Sequence, residues 1–226
     1  QKRLSYLGLL SSGLAHEIKN PLNSIQMNLQ LLEEEISSGA PAQQTASWIE
    51  PIEKEVRRLE RLVNDFLTFA RPIKPEFKPT ELGRVLESLA ALVASEARAK
   101  EVSVHVDAAP DLPAVETDES LLRTALLNLV LNAIQSSPAP GEVILRAAAD
   151  GTRAVLEVED QGAGVQVERR EEIFQIFYTT KPGGTGLGLP IARRLLESLG
   201  GTLELCEKEG AGACFRAVLP MEGARA

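Results

Sequence analysis

Residues 14–36 read LAHEIKNPLNSIQMNLQLLEEEI, and the period of their apolar positions decides the first half of the fold. Ile18, Ile25 and Leu32 recur every seven residues, a series that runs back through Ser11 to Leu4, and Leu22, Leu29 and Ile36 form a second series after Pro21. Two such series on one helix make a coiled-coil-like seam. A local irregularity is expected at Pro21, which has no N–H to donate and crowds the preceding turn. Ser37-Ser38-Gly39-Ala40-Pro41 reads as a turn. Beyond it Ile49, Val56, Val63 and Ala70 alternate with Ile52, Leu59 and Phe66, which predicts a second helix running back along the first. Glu53, Lys54, Arg57, Arg58 and Arg61 are expected on its other, solvated face. A lone helical hairpin buries its stripes poorly, so a homodimer closing a four-helix bundle is the expected completion. The pattern is already under way at Gln1, and a continuation upstream is expected.

Working outward, Arg71-Pro72-Ile73-Lys74-Pro75-Glu76-Phe77-Lys78-Pro79 breaks the helical period with three prolines, and marks a boundary. Past it, Thr80 is expected to cap a helix carrying Leu82, Val85, Leu86, Leu89 and Val93, and Val102, Val104 and Val106 alternate as a strand. Asp118 starts another helix to about Ser136. Val143–Ala149 and Arg153–Asp160 flank Asp150-Gly151, a hairpin signal. A helix from about Gly188 to Leu199 ends at Gly200-Gly201, followed by strands near Thr202–Lys208 and Ala213–Leu219. The expected class is α+β: a helical hairpin over 1–72, a Pro-rich linker over 73–79, and an α/β sandwich over 80–226 with helices on one face.

Composition bounds the function. The 226 residues hold 24 Lys+Arg against 32 Asp+Glu, a formal net charge of −8, with 44% apolar residues and 25% charged. That is the make-up of a folded, soluble chain. Its acidity argues against nucleic acid or an anionic membrane surface as partner, so any phosphate site must be local. No apolar run approaches membrane-spanning length and no signal peptide is legible. Cys206 and Cys214 show no metal-ligand or disulfide spacing, and read as two small hydrophobes on neighbouring strands in a reducing, cytoplasmic setting.

Four groups of residues carry chemistry. His16 falls opposite Leu14 and Ile18 on its helix, so an exposed imidazole is expected, with Asn20 on the same face and Glu17 beside it. A carboxylate there can hold one ring nitrogen protonated and leave the other as a nucleophile. His16-Glu17-Ile18-Lys19-Asn20 is no zinc motif, because Asn20 stands where the second imidazole must be. Asn128 and Asn132 lie at i and i+4 on an apolar helix. They are either satisfied by backbone or act as oxygen ligands toward a hydrated Mg²⁺ and a triphosphate. Asp160-Gln161-Gly162-Ala163-Gly164 follows directly on a strand, the letters of a tight turn or of a close ligand approach. Gly183-Gly184-Thr185-Gly186-Leu187-Gly188-Leu189 precedes a helix whose free N–H groups attract phosphate, but its spacing fits neither a P-loop nor a dinucleotide fingerprint. His105 is read as a solvated strand residue.

Ser12–Leu22, Asn128–Ala133, Asp160–Gly164, Ile173-Phe174-Gln175-Ile176-Phe177 and Gly184–Gly188 resemble, in order, the H, N, G1, F and G2 boxes of bacterial two-component sensor histidine kinases. The resemblance spans almost the full length. It implies a dimerisation and phosphotransfer hairpin joined to an ATP-binding sandwich of the kind shared with DNA gyrase. It implies that His16 is the phosphoacceptor attacking the γ-phosphate through Nε2, with Glu17 as general base or imidazole orienter, and that Asn132 binds Mg²⁺ with support from Asn128. Asp160 would accept from the adenine amino group, with Gly162 and Gly164 allowing close approach. Thr180, Lys181, Gly184, Thr185, Gly186, Leu187 and Gly188 would form the phosphate-side lid, Lys181 nearest the γ-phosphate. Tyr178-Thr179-Thr180-Lys181-Pro182 leads quickly into the glycines, so the implied lid is short, as in nitrogen-regulatory-type kinases, and Gln135 and Ser136 replace a cation and aromatic common after the N box. The implied partner is a response-regulator receiver domain, and Asn20 implies a phosphatase activity toward it. Two other functions compete: a nucleotide-binding dimeric scaffold without transfer, and an ATPase of the gyrase type. The second lacks a carboxylate immediately before Asn128 to activate water, and leaves His16 unused.

Overall fold

The computed structural model describes residues 2–39, 47–181, 183–208 and 210–222, with side chains from residue 13 onward. Leu4 and Ser11 of the predicted seam, Ala40-Pro41 of the turn and Pro182 of the lid lie outside the described residues or side chains. The chain divides into two compact units, Gln1–Ala70 with Ile176–Leu187, and Arg71–Gln175 with Gly188–Ala226.

In the first unit, α1 (Lys2–Ser37) and α2 (Ile49–Ala70) pack against each other. Two helices can bury only the stripe between them, and the two predicted series divide accordingly. Ile18, Ile25, Leu32, Ile52, Leu59 and Phe66 are half-buried and Leu62 is buried. Leu22, Leu29, Ile36, Ile49, Val56 and Val63 stay exposed, Leu22 at 49% and Ile36 at 60%. Pro21 sits buried inside α1 without ending it.

The second unit opens with β1 (Lys78–Thr80), antiparallel to β3 (Val115–Thr117), so the last residues of the Pro-rich segment are strand and not free linker. Glu76 is tied down as well, its N–H donating to Asp118 Oδ2 at 2.9 Å. Thr80 does not cap the following helix. Its hydroxyl is drawn into the β1–β3 pair, donating to Lys78 O and Thr117 O, and Glu81 occupies the cap position without capping the helix through its side chain, which pairs with Arg84 instead.

A five-stranded sheet follows in the order β2 (Val102–Ala108), β4 (Gly141–Asp150), β5 (Arg153–Asp160), β7 (Cys214–Pro220), β6 (Thr202–Leu205). Only β2 and β4 run parallel. The β4–β5 hairpin turns through Gly151 at φ +59°. Helices α3 (Leu82–Ala99), α4 (Glu119–Ser136) and α5 (Gly188–Ser198) cover one face, meeting Val143, Leu145, Leu156, Val158, Phe215 and Ala217. Of these helices α4 is the most enclosed. Leu122, Ala125, Leu126, Leu129, Val130, Ala133 and Ile134 are fully buried along one continuous face of it, each large side chain contributing about 1.5–3 kcal/mol by removal from water. The other sheet face carries ion pairs: Arg146 with Glu159, Lys208 with Glu159 at 3.0 Å, and Arg216 with Glu157 at 2.8 Å.

Two predictions follow from these anchors. Asp118 Oδ1 accepts from the N–H groups of Ser120 and Leu121 while Oδ2 holds Glu76. Asp118→Ala is therefore expected to cost about 1–2 kcal/mol in urea unfolding, with Asp118→Asn retaining most of the stability. A neutral effect of the alanine would remove the cap from the energetics. Glu159 is held below the ordinary carboxyl range, first by its hydrogen bond from Arg146 and then by Lys208, against the opposing effect of burial. A carboxyl depressed in the folded state stabilises above the unfolded pKa and loses that contribution as pH falls through the folded value. The melting-temperature gap between wild type and Glu159→Gln should thus be widest near neutrality and close on acidification below about pH 4; a gap independent of pH would contradict it.

Candidate functional site

His16 and Asn20 are both exposed on α1, one turn apart. Glu17 is half-buried and pairs with Arg58 of α2 at 3.7 Å, while Arg58 also lies 3.6 Å from Glu55. Arg58 therefore does not belong to the outward charged face on which the sequence placed it. It turns toward α1 and pairs with the carboxylate of the residue that follows His16. Pro21 has no N–H for the Glu17 carbonyl four residues before it, so the backbone at this point of α1 lacks one helical bond. Three residues before His16, Gly13 lets α1 approach the Phe177 ring, which stands 2.7 Å from where a Cβ would be.

Phe177 begins the glycine segment of the same compact unit. Its backbone is left-handed at φ +67°, and its N–H donates to Gly186 O at 3.1 Å. Gly186 is itself at φ +65°, with Phe177 carbonyl carbon 2.4 Å from a Cβ built there, so any side chain would break the turn. Within it Leu187 is fully buried, Gly184 N–H donates to Lys181 O at 3.1 Å, and Thr180 is exposed. Thr185 Oγ1 donates to Asp65 Oδ2 of α2 at 2.9 Å. Burial pushes the Asp65 carboxyl up, opposed by that hydrogen bond and by Arg61. Sequence reasoning missed Asp65 and misplaced Arg58; the signal was present, since the two are seven residues apart and so share one face of α2.

In the second unit Asp160 is 2% exposed, at the end of β5 on the helix-covered face. Its Oδ1 accepts from Gly162 N–H at 2.8 Å and Ala213 N–H at 3.1 Å, and no bond of Oδ2 is recorded among the described residues. The carboxylate is thus oriented through Oδ1 by two backbone donors. Gly162 and Gly164 were expected to admit a ligand. The space they leave is taken by protein backbone, Ser136 O at 2.6 Å and Gly212 O at 2.8 Å from the respective Cβ positions. Their first effect is to let the loop after β5 close on the end of α4 and on the segment before β7. Lys208, unremarked in the sequence, donates to Asp160 O at 2.7 Å.

Asn128 and Asn132 are half-buried on α4, at the border of its buried face. Asn128 Nδ2 donates to Thr124 O at 2.9 Å, which aims its Oδ1 at Gly188, 3.2 Å from the Cβ position there. The bland reading of backbone satisfaction holds for the Asn128 amide nitrogen, and its oxygen remains directed at the start of α5. Near by, Phe174 packs edge-on to Phe215 and under the Arg193 guanidinium at 5.3 Å, which fixes the chain just before the glycine segment. His105 is exposed and lies 3.4 Å from Glu142, a surface strand residue as expected.

Two family models match: the His Kinase A (phospho-acceptor) domain over residues 6–74, and the Histidine kinase-, DNA gyrase B-, and HSP90-like ATPase over 117–223. Among similar proteins, sensor histidine kinase ZraS of Escherichia coli (strain K12) is 34% identical over 221 residues, 98% of this chain and 47% of the relative. Sporulation kinase C of Bacillus subtilis (strain 168) is 30% identical over 222 residues, 98% of this chain and 50% of the relative. The chain thus spans about half the length of the curated relatives it matches. Among solved structures, histidine kinase ThkA in complex with response regulator protein TrrA superimposes with TM-score 0.84 at 26% identity, over 97% of this chain and 63% of that one. Full-length ShkA in complex with AMPPNP gives TM-score 0.70 at 33% identity, over 95% and 46%. With a phospho-acceptor hairpin, an ATPase-type sandwich and relatives along its whole length, the chain belongs to the two-component sensor histidine kinases, of which it is the catalytic core.

Proposed function

We propose that the chain is an ATP-dependent, autophosphorylating protein histidine kinase core that passes its phosphoryl group to an aspartate of a response regulator and also acts as that regulator's phosphatase. The observation that carries the reading is the exposed His16 on α1, next in sequence to a half-buried Glu17 whose carboxylate lies 3.7 Å from Arg58. Glu17 accepts from one ring N–H and leaves the other nitrogen with its lone pair outward. That nitrogen, Nε2, forms the bond to the γ-phosphorus as the bond to the bridging oxygen of the leaving ADP breaks. Such a transfer needs positioning and charge neutralisation more than covalent help.

In the second unit the oriented Asp160 carboxylate fits an exocyclic amine, because its Oδ1 is already saturated by two N–H donors. Asn132, supported by Asn128, would hold Mg²⁺, whose oxygen preference suits an amide carbonyl. When bound, the ion neutralises charge on the phosphates. Lys181, Thr180, Gly184, Thr185, Gly186, Leu187 and Gly188 are assigned to the phosphate-side lid. In this reading 1–72 is the dimerisation and phosphotransfer unit, 73–79 the connection and 80–226 the ATP-binding domain, with the setting cytoplasmic. No helix among the described residues is long and apolar enough to cross a membrane.

A homodimer is proposed from the exposed seven-residue series on both helices. Leu22, Leu29, Ile36, Ile49, Val56 and Val63 form apolar stripes that a second copy would cover. The regulator is proposed as partner by likeness to the ThkA complex.

Incubation with γ-labelled ATP and Mg²⁺ is expected to give acid-labile, alkali-stable label on the wild type and none on His16→Gln. Binding of nucleotide without label would instead favour the scaffold reading. For the second activity, Asn20→Ala should lower regulator dephosphorylation at least tenfold while autophosphorylation falls less than about twofold, and equal loss of both would count against Asn20 as a water-positioning residue.

A further inference from the structure

The two cysteines are the feature that the kinase reading leaves unused. Cys206 is half-buried and Cys214 buried, but on the sheet face that carries the ion pairs. Phe215, Ala217 and Leu219 of β7 point to the helices, so Cys214 and Arg216 point to the opposite sheet face, among the Glu157, Glu159, Glu204 and Lys208 charges. The β6–β7 register pairs Leu205 with Phe215, and one residue further it sets Cys206 directly opposite Cys214, whose carbonyl accepts the Cys206 N–H at 2.7 Å. In a hydrogen-bonded antiparallel pair the Cα atoms are about 5.5 Å apart, within the range a disulfide spans. The two sulfurs and one Glu157 oxygen all lie within 4.8 Å of one another. The Glu157 carboxylate is already neutralised by Arg216, which leaves the thiols as the reactive pair.

The segment between them is tied to Asp160. Lys208 donates to Asp160 O, Ala213 O accepts the Asp160 N–H, and Ala213 N–H donates to Asp160 Oδ1. Gly212 at φ +103° places a Cβ position 1.9 Å from Asp160 O, so the two backbones are in direct contact. Ala213 is the neighbour of Cys214 in sequence.

We propose that Cys206 and Cys214 form a reversible thiol–disulfide switch, closed by a low-molecular-weight disulfide, that changes nucleotide affinity through the contacts of Gly212 and Ala213 with Asp160. The half-exposed Cys206 attacks first. Its thiolate, after losing its proton to solvent, bonds to one sulfur of the reagent and expels the other as a thiolate. The Cys214 thiolate then attacks Cys206 Sγ and expels the second. The balance is two protein thiols and one reagent disulfide giving one protein disulfide and two reagent thiols. Burial pushes both thiols up, Cys214 to about 12 and Cys206 less because the Cys214 thiol and Arg216 oppose the effect, so exchange is slow at neutrality and speeds up with alkali. Closure requires Cβ atoms nearer than opposite residues normally stand. It draws Cys214 inward and moves the adjacent Ala213 N–H off the Asp160 carboxylate. The effect on nucleotide rests on the role proposed for Asp160; closure of the pair does not.

The test is incubation of the full chain with oxidised glutathione, followed by intact mass, a count of alkylatable thiols, and AMPPNP affinity. Expected is a mass lower by two hydrogens, loss of both thiols, an AMPPNP Kd about fivefold higher or more, and reversal by dithiothreitol. Cys206→Ser and Cys214→Ser should bind AMPPNP like the reduced wild type and be insensitive to closure. Two unchanged thiols, or a glutathione adduct on Cys206 that never closes, would overturn the switch. A closed disulfide with unchanged affinity would overturn its coupling to the nucleotide. Reduced protein that fails to bind AMPPNP would tell against the Asp160 role alone, with the mass measurement still deciding the pair.

Discussion

The enclosure of α4 is the constraint on which the second unit depends. A helix buried along one whole face leaves its polar groups to the border of that face, and there stand Asn128 and Asn132. Packing of the buried face thus sets where the two amides stand along the helix, and the bond to Thr124 O orients that of Asn128. The same helix is started by Asp118, whose other oxygen takes the Glu76 N–H of the incoming chain. Its end meets the loop after β5 where Gly162 closes on the Ser136 carbonyl. One rigid element thus fixes the connection from the hairpin, the two amides and the loop that follows Asp160.

Within each unit the polar groups singled out by the sequence are held by protein partners. The Asp160 carboxylate is buried but never unpaired, since two backbone N–H groups take one oxygen, and burying it otherwise would be costly. Glu17 is fixed by Arg58 in the same manner. Thr185 is held by Asp65 within the helical unit. Preorganisation of this kind suits phosphoryl transfer, where positioning contributes more than bond-making by the protein.

Most of the architecture was legible because it rests on periodic burial. The two heptad series, the alternating strand of Val102, Val104 and Val106, the Asp118 cap and the Gly151 hairpin all report on local geometry that the residues themselves prefer. Thr80 misled, because a hydroxyl next to a helix start has a second use when a strand pairs there, and that pairing with β3 spans 37 residues of sequence. Arg58 and Lys208 were invisible for a related reason: long cationic side chains look solvated in sequence, and only tertiary neighbours reveal where their heads go. The motif residues His16, Asn128, Asp160 and Gly186 were found by pattern. The backbone partners that orient them could not be, since main-chain N–H groups leave no letter in a sequence.

The ion pairs on the open face of the sheet have a consequence for association. For that face to meet another sheet, Glu157, Glu159, Arg146 and Arg216 would have to surrender their hydration, and the attraction within each pair would not recover the loss. Stacking there is disfavoured however well the shapes match. The exposed leucines and valines of α1 and α2 carry no such penalty. Charge on one surface and its absence on the other thus direct encounters between copies toward the helices, and leave the sheet in contact with water.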